Sequence, residues 1–448
     1  MIASPQPGGR ERPFRHARAC LSTVLVCALA APALLRAQSR PDTIHLGDLY
    51  PLAEAHDPRA AQLPLLRQQA NARRETIRRE LLPALSVNGS AQYLSDVASV
   101  GTLPGIGPVG PLNHQYDAYL TIREPIVDFS RPARDRVERE RLTEAEAGVR
   151  ATLYGQRAAV NEAYFAVLQR RTQQRVLEAA IADLSARRNA AQLRVTSGAA
   201  LASEALVIDA ELVRRRQALA DAASEERIAL QQLSQLIGRP ISPEIPLAVP
   251  QPAESRIAAD TARPLARQRP EYTQFDRSRA VLEARESAVG GMDRPRLALV
   301  TRTGYGRPGL NALGREFDSY ISTGLQLEWT PWNWGASRRS REELRASANI
   351  IRTNEAAFTR AVERASLADR QRLDALQRLL ATDDDVVALR ERILAEARLR
   401  HDEGEMAAAD YVTRANDLLI AQLDRETRRI RIAEVHIRYL TTIGQELR

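Results

Sequence analysis

Few residues of this sequence stand at spacings that could do chemistry. The six histidines, at positions 16, 45, 56, 114, 401 and 436, lack the spacing of metal ligands. The stretch GIGPVG at 105–110 has the glycine spacing of a nucleotide-binding loop, but no strand-to-helix unit surrounds it, so we interpret it as an extended loop. The acids DDD at 383–385 fit a solvated helix face. The sequence therefore predicts no catalytic, metal or cofactor site, and we expect that the protein is not an enzyme.

Two short stretches of the chain repeat one another. Residues 194–206 read RVTSGAALASEAL, and residues 400–412 read RHDEGEMAAADYV. Each holds a glycine, Gly198 or Gly404, then small residues, then an acid six places after the glycine. Because glycine readily takes the left-handed conformation that ends a helix, we expect each stretch to end one long helix and begin another.

The acids of the two stretches are Glu204 and Asp410. We expect Ser203 and Asp410 to lie near enough to the first turn of the new helix to cap it or to complement its dipole. A role at a helix terminus is the simplest interpretation of both acids.

The repetition extends over most of the chain. The order helix, strand, loop, strand, long helix, glycine break, helix occurs twice. The paired strand-containing stretches are 81–93 with 293–305, and 116–130 with 317–335. We predict one repeat at 38–238 and another at 264–448, joined by a proline-rich linker at 239–263.

The first 37 residues have the charged, apolar and small-residue order of a secretory signal. Both cysteines, Cys20 and Cys27, lie in it, so cleavage leaves a cysteine-free chain without disulfides or thiol chemistry. Lipidation of Cys27 is the alternative, although Val26 is larger than the residue expected there. The signal holds five Arg and one Glu, so the formal charge of +8 falls to +4 on cleavage. A nucleic-acid partner is not needed to explain a charge of this size.

Apolar and polar residues alternate in the four predicted strands, which marks strands with one apolar face. About ten residues is the length of a tilted strand that crosses a membrane. Since an open sheet edge cannot lie in lipid, we expect the sheet to close with other copies of itself. An ordinary periplasmic sheet is the alternative. Aromatic residues near the strand ends favour the membrane; they are Tyr93, Tyr116, Tyr305, Phe317, Trp329, Trp332 and Trp334.

Long helices make up the rest of the predicted fold. Two uninterrupted runs, at about 131–196 and 336–402, would each span roughly 100 Å. The shorter helices are predicted at about 52–82, 201–237, 264–291 and 407–443. In the last of them a heptad seam, apolar except at Glu426, recurs every three to four residues, at Leu419, Leu423, Glu426, Ile430, Ala433, Ile437 and Leu440. This seam favours lengthwise coiled-coil packing.

The chain resembles the outer membrane factor family, the TolC-type outer membrane efflux proteins. The resemblance lies in the duplicated order, in LLPALSV, EPIVDFS and TPWNWG, and in the two glycine breaks. It implies a mainly α fold with a membrane β-barrel: a homotrimer with a twelve-stranded barrel in the outer membrane lipid of a Gram-negative bacterium, and an α-helical periplasmic tunnel. A periplasmic coiled-coil scaffold or adaptor without a barrel is the alternative.

The family resemblance also implies a function and a site. The implied function is a passive exit duct of a tripartite efflux or type I secretion system, with a periplasmic adaptor (membrane fusion) protein and an inner-membrane pump of RND or ABC type. The implied tip turns that contact the adaptor hold Gly198, Ala199, Ser203, Gly404, Glu405 and Met406. The implied pore constriction holds Asp410, Glu204, His401 and Thr413. Thr413 stands where the family often has a second acid, and His401 where it often has an aromatic residue.

Overall fold

The computed structural model describes residues 43–97, 101–103, 107–108, 111–250, 267–311 and 314–446. The predicted signal, with Cys20 and Cys27, lies outside these residues, as does the part of the predicted 239–263 linker from 251 onward. Among the helices that are described, none has the length and hydropathy needed to cross a bilayer.

The first repeat contains five α-helices and two long strands. They are α1 Leu46–His56, α2 Gln62–Arg79, β1 Ala84–Tyr93, β4 His114–Asp128, α3 Arg131–Tyr154, α4 Gln156–Thr196 and α5 Ala202–Ile237. In the loop between β1 and β4, β2 Thr102–Leu103 pairs with β3 Gly107–Pro108.

The second repeat contains three helices and two strands. They are α6 Pro270–Met292, β5 Arg296–Arg307, β6 Asp318–Glu328, α7 Ala336–Asp402 and α8 Ala408–Ile443. The helix predicted from 264 begins at Pro270, where proline suits the first turn of a helix. The two repeats thus have the predicted order, apart from two interruptions in the first.

The helix predicted over 52–82 is wrong as a single element. It begins earlier, at Leu46, and is broken by a 3₁₀ turn at Pro58–Ala61. Asp57 is extended, with φ −60° and ψ 125°, because a residue before proline is disfavoured in the helical region. The Asp57 carboxylate accepts the Arg59 backbone N–H at 2.8 Å, which stabilises the break.

The long helix predicted over 131–196 is two helices, α3 and α4, separated at Gly155. Gly155 keeps helical angles, φ −58° and ψ −24°, so the chain direction continues. Glycine lowers helix stability here. Next to it, the Thr152 hydroxyl donates to the Gly148 carbonyl at 2.9 Å, a side-chain bond that competes with the helix. The counterpart helix α7 is unbroken over 67 residues.

The four long strands form one antiparallel sheet in the order β1-β4-β5-β6. Val87 pairs with Leu120, Leu120 with Thr303, and Thr303 with Ile321, so these four side chains share one face. The ladder between β4 and β5 shifts register between Pro125 and Val127. In the described chain β1 and β6 are the outer strands of the sheet.

The two faces of the sheet differ in chemistry. One face is rich in exposed apolar side chains: Val87 is 81% and Ile321 71% accessible to solvent. The opposite face is polar, and its side chains bond to one another. Tyr320 donates to Asp117 at 2.8 Å, and Arg123 donates to Gln326. An exposed apolar face of this kind marks a surface that contacts another protein surface or a membrane.

The helices contain the apolar core of the chain. Leu49, Tyr164, Leu233 and Ile437 are fully buried in its largest cluster, which joins α1, α4, α5 and α8. Five of the seven residues of the predicted seam of α8, at 419, 430, 433, 437 and 440, are buried, and Leu423 and Glu426 are partly buried. The Tyr164 hydroxyl donates to the carbonyl of Ala248 at 2.7 Å and so fastens the start of the linker to this core.

Candidate functional site

The repeated glycine stretches lie in two helical hairpins. Hairpin one, residues 185–215, joins α4 to α5, and hairpin two, residues 391–420, joins α7 to α8. We call the turn of each hairpin its tip.

The tip of hairpin one ends α4 with a Schellman motif. Gly198 has φ +74°, a conformation that favours glycine. The N–H of Ala199 donates to the carbonyl of Arg194 at 2.8 Å, and that of Gly198 donates to Val195 at 3.1 Å. These bonds satisfy carbonyls that the helix end leaves without an intrahelical partner.

The tip of hairpin two repeats this motif 206 residues later. Gly404 has φ +81°. The N–H of Glu405 donates to Arg400 at 2.8 Å, and that of Gly404 donates to His401 at 3.1 Å. The structure thus has both glycines at the helix ends where the sequence predicts them.

The two acids occupy equivalent positions after the turns. Glu204 and Asp410 are each the third residue of their helix. The backbone N–H of Glu204 donates to the Leu201 carbonyl at 3.1 Å, and that of Asp410 donates to the Ala407 carbonyl at 3.1 Å. Negative charge in a first turn interacts favourably with the helix dipole. The N-cap residues, Leu201 and Ala407, make no side-chain cap bond, and Asp410 lies in the first turn, where it can complement the helix dipole as expected.

The surroundings of the two acids differ. Glu204 is partly buried, with its carboxylate 4.0 Å from the Arg194 guanidinium. Asp410 is exposed. Thr413 is also exposed, one turn further along the same helix face, and its hydroxyl donates to the Ala409 carbonyl at 2.9 Å. Asp410 and Thr413 therefore form the accessible polar surface beyond the second tip.

His401 lies inside the tip and is only 3% exposed. Its Nδ1 is 3.0 Å from the Met406 carbonyl, and its ring stacks on Tyr411 at 5.4 Å between centroids. Burial raises the pKa of the Tyr411 phenol, which also lies near the Asp183 carboxylate. In the single chain His401 therefore packs within hairpin two, and its place at a pore constriction stays a prediction.

The other tip residues singled out in the sequence are mostly accessible. Gly198, Ala199, Ser203, Gly404 and Glu405 are exposed. Met406 is half-buried and packs against the apolar cluster that contains Tyr411. The two tips therefore present mainly backbone and small side chains to their surroundings.

Ion pairs and hydrogen bonds join the two hairpins within one chain. Arg187 pairs with Asp402 at 2.9 Å. Asp183 pairs with Arg398 and accepts the Tyr411 hydroxyl at 3.3 Å. Sequence reasoning missed these links, because partners more than 200 residues apart carry no local signal.

A further link places an arginine on the end of a neighbouring helix. The Arg194 Nη1 donates to the carbonyl of His401 at 2.8 Å, one of the last carbonyls of α7. Cations near a helix C-terminus interact favourably with its dipole. The basic residue itself was visible in the sequence, but its acceptor was not.

The predicted interfacial aromatics lie at opposite ends of the sheet. At one end the rings of Tyr116 and Phe317 are 6.1 Å apart, and those of Tyr305 and Phe317 are 5.6 Å apart. Tyr93 is at this end, 5.0 Å from His114.

The tryptophans lie at the other end of the sheet, where the strands lead into the helices. Trp329 donates its Nε1–H to the Asp293 carbonyl at 3.2 Å. Trp332 and Trp334 are exposed and meet edge to face at 5.9 Å. The Asp293 carboxylate also accepts from Asn333 at 3.1 Å, so this residue organises the turn between β6 and α7. Sequence reasoning did not single out Asp293.

No group of His, Cys, Asp and Glu side chains that could hold a metal ion occurs among the described residues. The features described above are surfaces: the apolar sheet face, the two aromatic zones and the tips.

Comparison with known proteins finds a family similarity in the first repeat. The family model described as outer membrane efflux protein matches residues 49–239. No curated protein sequence matches the chain.

Solved structures share the fold at low sequence identity. VceC from Vibrio cholerae has a TM-score of 0.64 and 15% identity, covering 90% of this chain and 97% of its own. The MtrE channel of Neisseria gonorrhoeae, in its open state, has a TM-score of 0.62 and 16% identity, and the match covers 90% of this chain and 89% of the MtrE chain. The Campylobacter jejuni CmeC channel has a TM-score of 0.60 and 14% identity, and the match covers 89% of this chain and 85% of the CmeC chain. The chain is thus similar to the outer membrane efflux proteins over residues 49–239, and it shares the fold of these solved structures over about nine-tenths of its length.

Proposed function

We propose that this protein is the outer-membrane exit duct of a tripartite efflux or type I secretion system. The observation that carries the proposal is the four-stranded sheet, with one exposed apolar face, one polar face and open outer strands at β1 and β6. Lipid accepts the apolar face, but it cannot satisfy the unpaired backbone groups of an open edge.

Closure with other copies removes the open edges. Three copies of a four-stranded sheet give a twelve-stranded barrel, with the apolar faces outward and the polar residues, such as Asp117 and Arg123, toward the lumen. The aromatic zones at both ends of the sheet then lie at the two membrane interfaces. This supports a location in the outer membrane of a Gram-negative bacterium.

The helices continue from the barrel as a periplasmic tunnel. Transport through it is passive, and an inner-membrane pump of RND or ABC type supplies the energy through a periplasmic adaptor. The tips at Gly198 and Gly404 contact the adaptor, and hairpins 185–215 and 391–420 move apart when it docks. The exposure of both tips supports this role.

The channel narrows at the tips in this proposal. Asp410 recurs three times around the trimer axis, and a ring of carboxylates in a narrow pore binds cations. Its exposed position supports this role more strongly than the partly buried position of Glu204 does. Thr413 adds a hydroxyl beside each carboxylate.

Mass and conductance of the purified mature protein test the proposal. We expect a trimer in detergent and, in a planar lipid bilayer, a small cation-preferring conductance that rises in Asp410→Ala. The matched control is Asp424→Ala, which removes an exposed acid on the same helix about four turns further from the tip. We expect that change to leave conductance nearly unaltered.

Each other outcome removes a definite part of the proposal. A trimer whose conductance is unchanged by Asp410→Ala would support the proposed duct and contradict the proposed carboxylate ring. A soluble monomer or dimer without conductance removes the duct and favours a periplasmic scaffold.

A further inference from the structure

A pocket lies where the sheet joins the helices. It has a volume of about 600 Å³ and lies between the end of β4, the start of α3, the end of α6 and the first turns of α7. We call it the junction pocket, and its lining includes Phe129, Ser287, Gly290, Arg294 and Arg341. A pocket of this volume is large enough for a small ligand or for the headgroup of a larger one.

Two adjacent glycines keep the junction pocket open. A Cβ added to Gly290 would lie 3.3 Å from the Arg341 guanidinium, and one added to Gly291 would lie 3.1 Å from the Cα atom of Ser130. Glycine lowers the stability of a helix relative to alanine, so this pair near the end of α6 weakens the helix. The close approach of Arg341 and of the start of α3 to α6 depends on these glycines.

Positive charge in the junction pocket is only partly compensated. The Arg294 guanidinium lies 5.9 Å from the centre of the Phe129 ring, and it forms no ion pair within the described part of the chain. The Arg341 guanidinium lies 3.7 Å from the Asp293 carboxylate, which is longer than a hydrogen bond. Both arginines can therefore donate to an anion that enters the pocket.

Asp128 is the one acid among the described lining residues, and it already has partners. Its carboxylate accepts the Ser130 backbone N–H at 2.8 Å and the Arg134 guanidinium at 3.0 Å. Arg134 also pairs with Glu80 at 2.6 Å. This side of the pocket thus satisfies its own charges, and Arg294 remains without a carboxylate partner.

The junction pocket adjoins the apolar face of the sheet. Val127 pairs with Leu297, and Leu297 pairs with Leu327, so these side chains form the last apolar row of that face. Trp329 follows β6 and donates to the carbonyl of the residue before Arg294 at 3.2 Å. Because tryptophan prefers the level of the lipid headgroups, the pocket lies at that level when the apolar face contacts lipid.

We propose that the junction pocket binds the phosphate of an anionic phospholipid in the periplasmic leaflet of the membrane. Arg294 and Arg341 donate to the phosphate oxygens, whose geometry suits guanidinium groups. The acyl chains lie on the adjoining apolar face, so the ligand is a lipid and not a free phosphate. This inference rests on the proposed function, because the duct is what places the apolar face in a membrane.

Tryptophan fluorescence tests the inference, because all three tryptophans of the chain lie at 329–334. The purified mature trimer is reconstituted in bilayers of phosphatidylcholine and phosphatidylglycerol, with bromine on the chains of one lipid or the other. Since bromine quenches tryptophan only at close range, the two titrations give the relative binding of the lipids beside the pocket. An arginine near anionic lipid contributes about fivefold to binding, so we expect phosphatidylglycerol to bind at least about fivefold more strongly.

Two variants should abolish this preference by different routes. Arg294→Gln with Arg341→Gln removes the charges. Gly290→Leu keeps both arginines but fills the pocket, and leucine favours the helix more than glycine does. Helical circular dichroism and native mass establish that each variant is a folded trimer.

The matched control is Arg338→Gln with Arg339→Gln. It removes the same charge from the start of α7, but these side chains are 75% exposed, bond to Glu342 and do not line the pocket. The control should keep the preference for phosphatidylglycerol. An excess of inorganic phosphate should also leave the preference unchanged.

Several results would overturn the inference. Equal binding of the two lipids by the native trimer would do so, and an equal loss in both double variants would assign the preference to general surface charge. Loss of the preference in inorganic phosphate would assign the pocket to a soluble anion. Absence of quenching by either lipid would overturn the proposed duct as well, so the two failures are distinguishable.

Discussion

The sheet and the helical core use apolar residues in opposite ways. In the helices, Leu233 and Tyr164 are fully buried against other parts of the same chain. In the sheet, Leu325 and Val87 are exposed although their strands are fully formed. The helices bury these side chains within the chain, whereas the sheet leaves its apolar face uncovered by the chain. In the proposed duct, the first region is stabilised by packing within the chain and the second by contact with lipid.

Removing the same side chain from each region tests this difference most strongly. Leu233→Ala leaves a cavity in the helical core and should cost about 2–5 kcal/mol of unfolding free energy. Leu325→Ala removes an equal volume from the exposed sheet face and should cost far less. Denaturant midpoints, measured in detergent by the helical circular dichroism signal, report both. Equal losses would show that the sheet face packs on protein, and would break the comparison.

Adding a charge to the sheet tests which of its two faces meets lipid. Val87→Arg places a guanidinium on the apolar face, where a mid-membrane position costs about 2–4 kcal/mol. Asn88→Arg, the control, changes the neighbouring residue on the polar face. We expect less Val87→Arg protein in the outer-membrane fraction and a normal amount of the control. Similar losses for both variants would remove the assignment of the apolar face to lipid.

Glycine substitutions separate backbone effects from packing in the same two regions. Gly404→Ala should cost about 1–2 kcal/mol, because φ is +81° there and an added Cβ meets only Arg194 at 3.9 Å. Gly324 in β6 has no atom within 4 Å of an added Cβ. Gly324→Ala should therefore leave the midpoint nearly unchanged. A large effect at Gly324 would indicate that the polar face is more closely packed than the single chain shows.

The smallest expected effect is a pH dependence that belongs to the helical region. The bond from Arg59 lowers the pKa of Asp57 from its usual value to about 2. The folded state thus favours the ionised carboxylate, so this stabilisation is present above about pH 4 and is lost as pH falls toward 2. Melting temperatures of the native protein and of Asp57→Asn should differ above pH 4 and converge below it. A difference that persists at pH 2 would assign the effect to packing.

The elements that the sequence predicts well are those with a local signal. The 206-residue repeat and the spacing around Gly198 and Gly404 specify two hairpins, and the structure has them with matching backbone bonds. Alternation in 84–93 and 318–328 predicts the strands within a few residues. The break at Asp57 also had a local signal, because the next residue is proline, and it could have been found.

The environment of the candidate site could not be predicted in the same way. Whether His401 faces a pore or a core depends on Tyr411, which stacks on it only because both belong to one closed turn. The bond from Arg194 to His401 depends on how two hairpins align side by side, and a single sequence holds no measure of that alignment. Side-chain identity is local, whereas burial at these positions is a property of the assembled tertiary structure.

Gly155 gives the two long arms of the chain unequal stiffness. The arm that ends at Gly198 contains this weakened point, 43 residues before its tip, whereas α7 runs without glycine or proline over its 67 residues. A rotation of about 5° at Gly155 displaces a lever of about 60 Å by about 5 Å at its far end. A force applied equally to both tips should therefore bend the arm of α3 and α4 at Gly155. The arm of α7 should stay straight and carry the same force along its length.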